Sequence, residues 1–231
     1  MPGDDLGRWR WGNEVRVSRA VTGQIKVGQM EAAVATAAEA ASLVGRHGGE
    51  VRFFIASASG DQVNQTLFST QYASPVAMGA AFDAMHNDPE LQAFGLRMQG
   101  ILSPTVVMST TMAIELPTGH EPKPGRGSIL EVHASKPRPG RMQEFLAQGK
   151  EICEFVEAHG AVNAQVVQLT FAGTQSGITA CGWEVENWTA HAHLGQAWFS
   201  DAGVDLQARA VARDAPAVAL SSTLLNEVRL S

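Results

Sequence analysis

The side chains best suited to chemistry cluster in one short stretch of the second half of the chain. This stretch contains, in order, Trp183, Asn187, Trp188, His191 and Trp198. An imidazole can accept or release a proton near neutral pH, and an indole can form the wall of an apolar pocket. Pockets for small molecules are mostly apolar, with a few directed polar groups. The stretch therefore predicts a small-molecule pocket in this half.

Two further candidates lie outside this stretch, and the tryptophans have a structural alternative. Strand parity lets His133 point into the interior of a barrel, and Tyr72 is a proton-bearing side chain of the first half. Parity also places Trp183 and Trp188 on opposite faces of one strand. Either tryptophan could instead belong to the hydrophobic core.

No metal-binding or nucleotide-binding pattern accompanies these candidates. His191 and His193 lie ~200° apart around an expected helix, so they cannot face one site, and a third and fourth ligand are missing. The chain has no glycine-rich phosphate loop, no His-Glu-x-x-His motif and no Gly-x-Ser-x-Gly elbow. We therefore expect no metal and no cofactor.

Composition narrows the class of protein. The chain has 231 residues, with 17 Lys and Arg against 23 Asp and Glu, and a formal net charge of −6. An acidic chain without a basic run offers no surface for counterion release, so nucleic-acid binding is not expected. No stretch reaches the ~18 apolar residues of a membrane span. The two cysteines, Cys153 and Cys181, are expected to be reduced and buried in a cytoplasmic protein without a membrane partner.

The chain repeats itself at an offset of 112 residues. This offset aligns His47 with His159 and the block from Pro104 with the block from Pro216. Between these blocks the offset becomes 116, which aligns Tyr72 with Trp188 and Phe82 with Trp198. Blocks in the same order at nearly one offset indicate a duplicated unit.

Each half has the same order of predicted elements. Apolar residues at helical spacing predict helices over 29–46 and 141–158, each ending at a His-Gly pair. A second helix begins at Ser74-Pro75 in the first half and near Thr189 in the second. Strands are predicted over 15–21, 51–57, 65–72 and 106–116, and over 128–134, 165–171, 178–188 and 218–230. The order β-α-β-β-α-β is that of a ferredoxin-like unit, so the fold class is α+β.

The repeat divides the chain into an N-terminal arm (1–14), a first ferredoxin-like repeat (15–116), a linker rich in Pro and Gly (117–127) and a second repeat (128–231). Each unit alone leaves one sheet face open, and two units can close these faces as an eight-stranded barrel. Glu115 and Glu227 are expected to be solvated carboxylates at strand ends. The arm carries Trp9 and Trp11 beside arginines, and we expect it to promote a homo-oligomer.

This organisation resembles the dimeric α/β-barrel superfamily, with two tandem copies fused in one chain. The superfamily includes antibiotic-biosynthesis-type monooxygenases, NIPSNAP-like proteins and haem-binding chlorite dismutases. The local likeness to the monooxygenases lies in Trp183-Glu-Val-Glu-Asn-Trp188-Thr-Ala-His191, and Met85–Phe94 resembles a NIPSNAP-type segment. The resemblance implies an intramolecular dimeric α/β barrel with a sheet-helix pocket for a small hydrophobic or aromatic molecule.

The resemblance also implies roles for the candidates. In cofactor-free monooxygenases of this fold, the substrate loses a proton and then itself reduces dioxygen, so the protein supplies a cavity, a base and hydrogen-bond donors. His191 would be the base, Asn187 a donor to the resulting anion and Trp188 a wall of the pocket. The remaining substrate-binding residues would be Trp183, Trp198, His133 and Tyr72.

Two alternatives to this oxidoreductase function stay open. A non-catalytic module would only carry a ligand, or would fill the pocket with its own side chains. A haem-binding barrel would take an axial His from the second half.

Overall fold

The computed structural model describes residues 15–58, 64–100 and 103–230, so the expected arm (1–14) lies outside the described residues. The elements of the first half are β1 (Val17–Ile25), α1 (Met30–Gly45), β2 (Glu50–Ala58), β3 (Gln65–Tyr72), α2 (Pro75–His86), α3 (Pro89–Met98) and β4 (Thr105–Glu115). Those of the second half are β5 (Ile129–Pro137), α4 (Met142–Ala158), β6 (Val162–Phe171), β7 (Thr179–Val185), α5 (Trp188–Ala197), α6 (Asp201–Val211) and β8 (Ala217–Val228). Residues 117–127 contain no helix or strand.

The eight strands form one closed antiparallel barrel in the order β1-β3-β2-β8-β5-β7-β6-β4. Each half contributes four neighbouring strands, and the pairs β2–β8 and β4–β6 join the halves. Alternate side chains along each strand face the barrel interior, and the others face the helices outside. The predicted fold of two tandem ferredoxin-like units that close one barrel is thus confirmed.

Each half has one helix more than the sequence analysis predicted. Asp88 begins α3, and its Oδ1 accepts a hydrogen bond from the backbone N–H of Glu90 at 2.9 Å. Pro89 follows, and a proline disfavours helical conformation in the residue before it. The chain therefore ends α2 and starts α3 at this point, and Ser200 begins α6 in the second half in the same capping role.

The strand predicted to run to Trp188 ends earlier, at Val185. Asn187 is the N-cap of α5, because its Oδ1 accepts a hydrogen bond from the backbone N–H of Ala190 at 3.0 Å. Trp188 is consequently the first residue of a helix. The prediction that Trp183 and Trp188 share one strand is wrong, because the N-cap stops the strand between them.

His133 faces the helices, which corrects the expectation that it points into the barrel. On β5 it pairs with Cys181 of β7, and its neighbour on the same face, Glu131, pairs with Trp183. Cys181 and Trp183 both belong to the hydrophobic core that packs against α4. Directly paired residues of antiparallel strands share a face, so His133 lies on this side too.

A buried ion network occupies the opposite face and joins the two halves. Arg52 of β2 donates hydrogen bonds to Glu227 of β8 at 2.8 and 3.1 Å, to Glu184 of β7, and to the carbonyl of Gly127 at 2.9 Å. Arg126 also pairs with Glu227, whose side chain is only 4% exposed. The prediction of a solvated Glu227 is therefore wrong, because arginines from two segments converge on it. Glu115, by contrast, is half-buried.

Candidate functional site

A cavity of about 680 Å³ lies between the sheet and the helices of the first half. Strands β1 to β4 form its floor, and α1, α2 and α3 form its walls. The lining is mainly apolar and includes Phe53, Phe68, Phe82, Phe94 and Met98. Sites for small molecules usually enclose roughly 300–1,000 Å³ between mostly apolar walls, and this cavity falls within that range.

The two halves can be matched by sheet register and helix caps. Val17 pairs with Tyr72 in the first half, as Ile129 pairs with Val185 in the second. Tyr72 therefore corresponds to Val185 at an offset of 113, and the predicted match of Tyr72 with Trp188 is wrong. The hairpin between β2 and β3 was expected to shift the alignment by four residues, but the register shows a shift of only one, which lies at the bulge of β6 between Val162 and Gln165.

Side-chain size at the matched positions differs between the halves in both directions. The lining residues Phe53, Phe68 and Phe82 are larger than their counterparts, which are Val166, Cys181 and Gly195. The first half carries the smaller side chain at five matched positions on the inner surfaces of the helices and the sheet. These pairs are Ala33 and Phe145, Ala40 and Ile152, Thr70 and Trp183, Ala81 and Leu194, and Met85 and Trp198. In the second half the larger side chains fill the corresponding space.

Aromatic rings supply most of this filling. The ring centroids of Trp183 and Trp198 lie 6.3 Å apart, and Phe155 lies 4.6 Å from Trp198. Trp183 is 2% exposed, and its indole Nε1–H has no hydrogen-bond partner within the described ranges. Of the three tryptophans predicted to bind substrate, Trp183 therefore lies in the core of the second half and Trp198 packs against it, whereas Trp188 is 49% exposed.

Arg19 brings a charge to the first-half cavity. It lies on the helix-facing side of β1 with Val21, and both side chains line the cavity. Burial lowers the pKa of Arg19, since a partly desolvated guanidinium is less stable as a cation. Arg19 thus presents a cation to a mainly apolar space.

Tyr72 lies beside this cavity, outside its lining. Its ring packs edge-on against Phe82 at 6.0 Å, and Phe82 does line the cavity. Burial raises the pKa of Tyr72, and the cation of Arg19 offsets part of this effect. The hydroxyl is therefore protonated at neutral pH. Because Tyr72 packs against Phe82 from outside the lining, it supports this wall of the cavity.

Four of the sequence-predicted residues meet in the second half around Glu131. Its Oε1 lies 2.8 Å from Nε2 of His133, and its Oε2 lies 3.3 Å from Nε2 of His191. Trp183 stacks on His133 at 4.9 Å, and Trp188 lies edge-on to His191 at 5.5 Å. These contacts bring His133, His191, Trp183 and Trp188 into one cluster.

The carboxylate determines the hydrogen-bond roles in this cluster. A carboxylate only accepts, so Nε2 of His133 donates to Glu131, and its Nδ1 lies 2.8 Å from the hydroxyl oxygen of Ser222. Glu131 is 16% exposed and the His191 side chain 24%, so the cluster reaches the surface. It could orient an imidazole for proton transfer, but none of its members lines the first-half cavity.

Sequence reasoning missed Arg19 and Glu131. The two residues match at the repeat offset of 112, on equivalent strands β1 and β5. Each is a charged side chain on the helix-facing side of its strand, where a core residue is expected. Comparing charge between the repeats at offset 112 could therefore have found both positions.

The fold is similar to that of several solved structures. A candidate monooxygenase from Lactobacillus acidophilus matches with a TM-score of 0.61, 7% identity and coverage of 94% of this chain and 95% of that chain. A candidate monooxygenase from Fusobacterium nucleatum matches with a TM-score of 0.59, 10% identity and coverage of 94% of each chain. A chlorite dismutase variant from Candidatus Nitrospira defluvii matches with a TM-score of 0.54, 14% identity and coverage of 94% and 92%. At these identities the similarity shows the fold alone.

Other comparisons and searches returned no match. No family model and no curated protein matches the chain. Among the described residues, no helix is both long and apolar enough to cross a membrane. Within the same ranges, no group of three or more His, Cys, Asp or Glu side chains is placed to hold a metal ion.

Proposed function

We propose that this protein binds a small hydrophobic or aromatic molecule in the first-half cavity. The observation that carries the proposal is the cavity of about 680 Å³, which lies where the second half has a filled core. A natural core is close-packed, and large voids are rare within it. Ala33 and Ala40 line this space, where the second half carries Phe145 and Ile152, and these small side chains therefore favour a binding site.

The test fills the cavity with the residues of the other half. Ala40→Ile and Ala33→Phe place in α1 the side chains that α4 carries at the matched positions. Ala35→Ile, at an exposed position of the same helix outside the lining, is the matched control. Titration calorimetry with 1-decanol and 2-naphthalenemethanol should detect binding to the wild type and control, and at least tenfold weaker binding to the filled variants.

Two results would contradict this proposal. The first is that neither probe binds the wild type, and the second is that the filled variants bind the probes as tightly as the control does. Thermal unfolding of each variant shows that the fold is retained. A filled variant that unfolds at or above the wild-type temperature while binding is lost would link the effect to the cavity.

A monooxygenase reaction in the same cavity is the second candidate function. The structures named above as candidate monooxygenases share this fold, and the imidazole of His86 lines the cavity. His86 could accept the proton of a phenolic substrate before dioxygen accepts its electrons. Oxygen consumption with naphthalenediols as substrates should be abolished by His86→Ala. It should be retained in His193→Ala, the control at an exposed position. If His86→Ala leaves oxygen consumption unchanged, His86 is not the base.

A non-catalytic carrier is the outcome if binding occurs without oxygen uptake. Haem with an axial His from the second half does not fit the residues present. Both ring nitrogens of His133 have partners, His191 faces Glu131, and tryptophans fill the space below the helices.

A cytoplasmic location, self-association and the four-part division of the chain stay predictions from the sequence.

A further inference from the structure

Arg19 differs from the other residues that line the first-half cavity. The lining is mainly apolar, with neutral polar groups such as the hydroxyls of Thr66 and Thr105. Among the lining residues that the structure describes, none is Asp, Glu or Lys. Arg19 therefore presents a positive charge to the cavity with no opposite charge across from it.

Arg19 also has no counter-ion elsewhere in residues 15–58, 64–100 and 103–230. No ion pair or hydrogen bond joins its guanidinium to a carboxylate there, whereas Arg16, just before β1, pairs with Glu115 at 3.0 Å. Burying part of a guanidinium without a partner costs free energy, and proteins normally pair such charges. An anion in the cavity would remove this cost.

The second half shows how the fold treats a charge at this position. Glu131 matches Arg19, and the imidazoles of His133 and His191 lie within 2.8 and 3.3 Å of its carboxylate. The matched charge thus has partners from the protein itself. At Arg19 the corresponding space is the cavity, so a ligand can supply the partner.

We propose that the cavity binds an amphiphilic monoanion, a carboxylate or phenolate on an apolar body, whose anionic group pairs with Arg19. This inference rests on the proposed binding function and names the class of ligand. Arg19 is the one Arg or Lys among the described lining residues, which also include the imidazole of His86, and its single guanidinium matches a single negative charge. Its planar N–H fork suits the two oxygens of a carboxylate. The phenyl rings and Met98 around the cavity suit the apolar body.

Paired probes separate the charge from the apolar body. The wild type is titrated with decanoate against 1-decanol, and with 2-naphthoate against 2-naphthalenemethanol, at pH 7. A hydrogen-bonded charge pair of this kind predicts that each anion binds about tenfold to a hundredfold tighter than its alcohol. Whether the decyl or the naphthyl compounds bind more tightly also shows whether the cavity prefers an aliphatic or an aromatic ligand.

Variants then assign the preference to Arg19. Arg19→Gln should lose the preference for the anion, so that it binds the anion and the alcohol of each pair with similar affinity. Arg19→Lys should retain part of it, because the charge remains without the planar fork. Arg16→Gln is the matched control, since Arg16 lies outside the lining, and it should leave the preference unchanged.

Each outcome bears on the inference separately from the proposed function. Equal binding of anion and alcohol by the wild type would overturn the inference and leave the binding function standing. A preference that survives in Arg19→Gln would also overturn it. Binding of no probe would overturn both. The wild-type comparison stands even if Arg19→Gln fails to fold.

Discussion

Replacing Arg52 by methionine is expected to lower the free energy of unfolding by about 3–5 kcal/mol. The guanidinium pairs with Glu184 and Glu227, whose side chains are 6% and 4% exposed. Methionine fills part of the space but leaves two carboxylates buried without this cation. Arg126 still pairs with Glu227, so Glu184 bears most of the loss. For a chain of this size, the melting temperature should fall by about 6–20 °C.

The pH dependence of stability should also change. Burial by itself raises the pKa of Glu227, but Arg52 and Arg126 outweigh burial and hold that pKa below its ordinary value. A carboxyl group with a lowered pKa stabilises the fold above its unfolded pKa, and this stabilisation is lost as the pH falls through the folded pKa. Without Arg52, the burial of Glu227 is less compensated, so its carboxyl group is protonated more readily than in the wild type. The difference in free energy of unfolding between the wild type and Arg52→Met should therefore be smaller at pH 5 than at pH 7.

Urea unfolding followed by circular dichroism at pH 5, 6 and 7 measures both effects. Arg97→Met is the control, because Arg97 pairs with Glu39 at the surface with side chains 57% and 51% exposed. Arg97→Met should lower the free energy of unfolding by less than about 1 kcal/mol, as is usual for exposed ion pairs. Equal losses for Arg52→Met and Arg97→Met, with an unchanged pH profile, would refute the reasoning about the buried network.

Two further predictions concern the second half. Asn187→Ala removes the N-cap of α5 and should lower the free energy of unfolding, measured with urea, by about 1 kcal/mol. Asn187→Ser keeps a capping oxygen and should lower it by less. Equal losses for the two variants would contradict the capping role. The hydrogen bond between the Cys153 and Cys181 thiols, whose sulfurs lie 3.9 Å apart, together with burial raises the pKa of Cys181. Iodoacetamide at pH 8 should therefore label the cysteines only after unfolding, and rapid labelling of the native protein would show that they are accessible.

Local patterns in the sequence were sufficient to predict the order of elements. The helix predicted over 29–46 is α1, Met30–Gly45, and the helix over 141–158 is α4, Met142–Ala158. Helical spacing is a property of the backbone repeat, so it can be read before any partner is known. The duplication then predicted the barrel, because two half-open sheets bury most when they close on each other.

The ends of elements were harder to predict. An aromatic residue, Trp188, lies three positions beyond Val185, and its presence favoured a longer strand. The N-cap at Asn187 and the break at Asp88-Pro89 decide the ends instead, and both signals were present in the sequence. Side-chain capping competes with strand pattern, and its outcome depends on where the chain must turn to pack a helix on the sheet.

The candidate site, too, could be predicted only in part from the sequence. From the sequence alone, the duplication, the α+β class and the residues able to move protons could be determined, because they depend on residue type and spacing. Only the tertiary structure decided that His133 and His191 meet at Glu131, and that the open cavity lies in the other half beside Arg19. Whether a space stays open depends on the summed volumes of side chains from several distant segments. Spacing along the chain does not contain that sum, so the cavity becomes visible only when sheet and helices are packed together.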